Sequence, residues 1–131
     1  MKKLILFLIS TVLLLSACTD KPAILFNNAP ITKDNVMNYT SEFETGQRVY
    51  YLVLIPEKIQ SRFIFIQIVK KGSLNRLGYD LYWAKDIRLK DEEVFYYTDY
   101  VVPSEKGVYV MKVYSKDNPV KPFAMAQFFV F

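Results

Sequence analysis

From residue 35 onward, Gly46, Pro56, Gly72, Gly78, Pro103, Gly107, Pro119 and Pro122 divide the chain into apolar segments of about eight residues. Eight residues are too few for a stable helix, which needs about 12 to 15, but as a strand they span roughly 26 Å. Segments 48–55, 62–69, 94–101, 108–114 and 123–131 are rich in Val, Ile, Tyr and Phe, the residues that fit a pleated surface. Segment 79–87 alternates, with Tyr79, Leu81, Trp83 and Ile87 on one side and Asp80, Tyr82 and Asp86 on the other, which predicts a strand with one buried face. Segment 35–43 could be a strand or one helical turn followed by a strand, and is read as a strand, with Ile24-Leu25-Phe26 as a short first one. Hydrophobic residues make up 52% of the chain and aromatics 16%, which excludes general disorder and predicts a real core.

About seven strands with no helical stretch to cross over between them predict an all-β fold, an antiparallel two-sheet sandwich. Gly107-x-Tyr109-x-Met111-x-Val113, followed by Ala124-x-Ala126-x-Phe128-x-Val130, resembles the final hairpin of bacterial immunoglobulin-like domains. The resemblance implies an immunoglobulin-like sandwich, here without the paired cysteines of antibody domains. A membrane barrel closing on Phe131 would need at least eight strands of about 9 to 11 residues with polar inward faces, and the chain is too short for it. A lipocalin-like barrel ranks below the sandwich because no Gly-x-Trp opens the first strand.

The first residues are of another kind. Lys2 and Lys3 precede an apolar run from Leu4 to Leu15, which Ser16-Ala17-Cys18 closes. A run of 12 residues is short of the roughly 20 that a spanning helix needs, so it reads as an export signal that is removed. Leu15-Ser16-Ala17-Cys18 resembles the lipobox of bacterial lipoproteins. That resemblance implies a palmitate-type diacylglyceryl thioether on Cys18, which becomes the first residue of the mature protein. The expected division is signal peptide 1–17, lipidated tether 18–30 and β-sandwich 31–131. Thr19, not aspartate, follows Cys18, which favours the outer membrane in a Gram-negative host. Cys18 is the only cysteine, so no intrachain disulfide, cysteine nucleophile or cysteine metal ligand is available.

Removing Lys2 and Lys3 with the signal lowers the formal charge from +4 to +2, and no nucleic-acid partner is expected. The chain has no histidine, which removes the commonest general base and the usual zinc ligand. No serine has a lysine three residues on, and Ser104-Glu105-Lys106 reads as a turn before Gly107. Asp91-Glu92-Glu93 reads as a solvated acidic turn; a calcium site there is the lesser alternative. No cofactor and no metal site are expected, and an enzyme ranks last among the readings.

The aromatic excess remains to be explained. In Tyr50-Tyr51 and Tyr96-Tyr97, neighbours point to opposite faces, so one of each pair lies outside the core. In segment 62–69, Ile64, Ile66 and Ile68 share one face and Phe63 and Phe65 the other. The branched set suits the core, which leaves Phe63 and Phe65 outward as an interaction surface for an envelope protein or a second copy. The expectation is a lipid-anchored cell-envelope protein with a non-catalytic binding or interaction domain. The alternative is a carbohydrate-binding module that stacks sugars on Trp83, Tyr82 and Tyr100.

Overall fold

A computed structural model describes residues 23–72, 78–93 and 95–131. The expected signal peptide, 1–17, and Cys18 lie outside the described residues. Among those residues there is no helix, and eight strands form two sheets. The strands are β1 (Ala23–Asn27), β2 (Glu42–Phe43), β3 (Val49–Leu54), β4 (Phe63–Lys71), β5 (Tyr79–Arg88), β6 (Tyr96–Val101), β7 (Gly107–Ser115) and β8 (Ala124–Val130). One sheet has the order β1-β3-β6 and the other β2-β8-β7-β4-β5. All pairings are antiparallel except the two-residue β2, which runs parallel to β8.

The inward faces close on each other through branched and aromatic side chains. Val49, Tyr51 and Val53 of β3 face Ile64, Ile66 and Ile68 of β4 and Tyr109, Met111 and Val113 of β7 in one buried core. Phe26 of β1 meets Phe128 of β8 across the sandwich at 5.0 Å, and Tyr109 stacks on Phe128 at 5.1 Å. The Tyr109 hydroxyl donates a 2.6 Å hydrogen bond to the Glu105 carbonyl, four residues upstream at the entry to β7. That bond forms the tyrosine corner of immunoglobulin-type sandwiches, and Met111 stands where antibody domains place the second cysteine. Gly107 opens β7 at φ +152°, and a Cβ there would come within 2.7 Å of the Lys70 side chain. Together the strand order and this corner make the domain an immunoglobulin-like sandwich.

Three expectations need correction. Ala23–Asn27 pairs with β3 along its whole length, so the expected tether 18–30 includes a sheet strand. Segment 35–43 is a strand only at its last residues; the Asn27 side-chain amide donates to the Asn35 and Asn38 carbonyls, and Asn35 bonds Pro30 and Thr32, holding the chain in turns. In β5 the alternation breaks: Ile68 faces Trp83 but Val69 faces Leu81, leaving Tyr82 as the extra residue of a β-bulge. Trp83 and Tyr82 therefore both pack against the core, while Tyr79 and Leu81 are turned out to solvent.

The two ends of the sandwich gather different strand termini. Ala23 pairs with Leu54 and Leu54 with Tyr96; in the other sheet Phe63 pairs with Arg88, Ile64 with Ser115 and Val113 with Ala124. The cross-sheet contacts Phe26–Phe128 and Lys85–Asp99 align these rows. The chain thus enters β1 at the end where β4 begins and β5 and β7 finish. The opposite end carries Asn27, Val101 and Gly107.

Candidate functional site: an aromatic groove capped by two cations

The pleat that buries Ile64, Ile66 and Ile68 turns Phe63 and Phe65 to the outer face of the five-stranded sheet. Phe63 keeps 44% of its surface in solvent, and Phe65 is half-buried against Tyr114 of the neighbouring β7, ring centroids 6.1 Å apart. Register brings Arg88 opposite Phe63 and Asp86 opposite Phe65, and the Lys116 amide donates to the Phe63 carbonyl. These residues and Pro119 line a groove of about 550 Å³.

Its electrostatics are asymmetric. The Lys116 ammonium lies 4.9 Å and the Arg88 guanidinium 5.9 Å from the centre of the Phe63 ring, both at cation–π distance. Among the described residues neither cation joins an ion pair, in contrast to Arg62 with Asp91, Lys70 with Glu105 and Lys85 with Asp99. Asp86 is the one carboxylate lining the groove. Such a site offers an apolar floor with positive charge at its rim, which suits a ligand that combines apolar surface with negative charge.

The other singled-out residues do not gather into one platform. Tyr100 lies on the outer face of the three-stranded sheet, tilted against Tyr50 at 5.5 Å with the Arg48 guanidinium 4.7 Å above its ring. A hydrogen bond to the Tyr50 hydroxyl raises the pKa of that guanidinium. Tyr82 meets Tyr109 edge-on at 5.1 Å, and its hydroxyl accepts a 3.0 Å hydrogen bond from the Ser104 amide. Trp83 packs against the same core. In the acidic run, Asp91 pairs with Arg62 and Glu93 accepts the Lys90 amide, closing the turn after β5. Among the described residues no three His, Cys, Asp or Glu side chains group as metal ligands.

The alternation of β4 predicts that Phe63 and Phe65 point outward, as the structure has them, but it gives no sign of Arg88, Lys116 and Tyr114 beside them. Alternation already set Asp86, and hence Arg88, opposite Ile87. The β4–β7 pairing that brings Tyr114 and Lys116 alongside joins strands far apart in the chain, and no local pattern announces it.

No protein-family model matches the chain, and no curated protein matches it. Among solved structures, the chain is similar to the CARDB domain of a Pyrococcus furiosus protein determined in complex with di-metal ions. The identity is 14%, the TM-score 0.44, and the match covers 84% of this chain and 90% of that one. It is also similar to an immunoglobulin-like protein of Pseudomonas aeruginosa, with 12% identity, a TM-score of 0.47, and coverage of 85% and 90%.

Proposed function

We propose that this is a lipid-anchored protein of the cell envelope, held by acylated Cys18, whose immunoglobulin-like sandwich is a non-catalytic binding module with the β4–β5–β7 groove as its contact surface. The observation that carries the binding reading is the half-exposed Phe63 ring under two cations that have no carboxylate partner among the described residues. A folded domain gains little from leaving aromatic area in water, at about 25 cal/mol for each exposed square ångström, so the arrangement is best accounted for by a ligand. The lipobox Leu15-Ser16-Ala17-Cys18 supports the anchor, and Thr19 supports delivery to an outer membrane where the host has one. Acyl chains contribute about 0.8 kcal/mol for each buried methylene, so two or three of them hold the protein at a membrane without help from the domain.

Replacing Phe63 by Ser together with Phe65 by Thr tests the groove. Association measured by sedimentation should weaken, while stability falls by about 2 to 3 kcal/mol, the burial that two half-covered rings lose. A collapse of the melting temperature with unchanged association would make the rings structural and remove the binding reading. For the anchor, labelled palmitate should enter the wild type, and Cys18→Ser should abolish labelling and leave unprocessed precursor. Wild type without label refutes lipidation.

A further inference from the structure

The anchor and the groove belong to the same end of the sandwich. Cys18 stands five residues before Ala23, a reach of about 17 Å at full extension. The nine residues of β4 span about 30 Å. A lipid on Cys18 therefore cannot bring the Gly107 end of an upright domain to the membrane, whereas Phe63, at the Ala23 end, lies within reach. Leu54, Phe95, Tyr96, Phe63 and Val120 are exposed at this end, Phe95 at 64% and Val120 at 87% of full exposure, and Tyr79, Leu81, Val102 and Phe131 are exposed at the other, so reach and charge decide between the ends.

We propose that the groove docks on the membrane that holds the anchor, with Arg88 and Lys116 taking the phosphates of anionic lipid headgroups and Phe63 and Val120 entering the interface. The proposal rests on the lipid-anchor reading above. Charge complementarity supports this occupant: among the described residues Arg88 and Lys116 join no ion pair and stand over an apolar floor lined by one carboxylate, Asp86, with Asp91 and Glu92 in the adjoining hollow beyond Arg88. Aromatic rings and long cationic side chains are the groups that settle at the headgroup level.

The test uses the full lipidated protein in vesicles containing phosphatidylglycerol and brominated lipid. A fluorophore on Val120→Cys reports the anchor end, and one on Val102→Cys reports the opposite end. With Cys18 acylated, each variant carries one free thiol; two labels per chain would show that the anchor reading has failed, independently of docking. Docking predicts strong quenching at residue 120 and weak quenching at residue 102. Arg88→Gln with Lys116→Gln should lower the docked-to-undocked ratio about thirtyfold, as should phosphatidylcholine vesicles, since each cation near an anionic surface contributes about 1 kcal/mol. Arg88→Glu with Lys116→Glu should reduce it further at an unchanged melting temperature. Equal quenching at the two ends with one label per chain overturns the proposal. Quenching at residue 120 that survives neutralisation and phosphatidylcholine overturns the role of the groove, as does an envelope protein that fills the groove and displaces it from lipid.

Discussion

Tyr109 and Phe63 lie on neighbouring strands of the same sheet, yet their rings meet opposite surroundings. Tyr109 is fully buried, stacked on Phe128, touched edge-on by Tyr82 and bonded through its hydroxyl to Glu105. Phe63 is half in water, and the cations Arg88 and Lys116 stand over its ring. The contrast separates aromatic residues that hold the sandwich together from those it displays. Tyr109→Ala should therefore cost about 3 to 5 kcal/mol, since it opens a cavity beside Phe128 and removes the corner hydrogen bond. Phe63→Ala should cost less than about 1 kcal/mol. Urea unfolding of the two variants measures the difference, and equal losses would erase the distinction between core and display.

Alkaline pH probes the inner set as a group. Burial raises the hydroxyl pKa values of Tyr51, Tyr97 and Tyr109 above the ordinary tyrosine value, and for Tyr97, whose hydroxyl faces Asp99 at 3.2 Å, up to about 12. Between pH 10 and 12 the unfolded chain has released the Tyr97 proton while the folded one still holds it, so the unfolded state binds fewer protons and stability falls as pH rises. The contribution is complete below pH 10 and is lost through about pH 12 at up to about 1.4 kcal/mol per pH unit for each tyrosine. Melting temperatures from pH 8 to 12 should be flat and then drop, and Tyr97→Phe should make the drop shallower. An unchanged drop in that variant would move the alkaline sensitivity to other groups.

What could be read from the sequence divides along the same line. The core face of β4 was legible because aromatic and branched residues alternate from Phe63 to Ile66 and Ile68 keeps the period past Gln67, so a period of two assigned both the buried isoleucines and the displayed rings. In β5 the same rule placed Tyr82 away from Trp83, because a bulge adds a residue without leaving a mark in local composition. The cations of the groove escaped notice for a related reason. Lys116 follows β7, and its place over Phe63 depends on a pairing between strands about fifty residues apart. Segment 35–43 misled because its Val36, Met37, Tyr39 and Phe43 fit a strand, while asparagine side chains satisfy the backbone in turns instead.

Tyr51 carries the smallest expected effect and the finest test of what an inner ring contributes. It is fully buried on β3, its ring 6.2 Å from that of Tyr97, but among the described residues its hydroxyl has no hydrogen-bond partner. Tyr109 has the same chemistry with its hydroxyl satisfied by Glu105. A buried hydroxyl without a partner costs about 1 to 3 kcal/mol relative to water, whereas a satisfied one contributes about 0.5 to 1.5 kcal/mol. Removing only the oxygen should therefore act with opposite sign at the two sites. Tyr51→Phe should leave stability unchanged or raise it by up to about 1 kcal/mol, and Tyr109→Phe should lower it by about 1 kcal/mol. A loss of more than about 1 kcal/mol for Tyr51→Phe in urea unfolding would mean that its hydroxyl is satisfied after all. The ring would then share the anchoring role of Tyr109, and the inner set would hold two corner-like tyrosines instead of one.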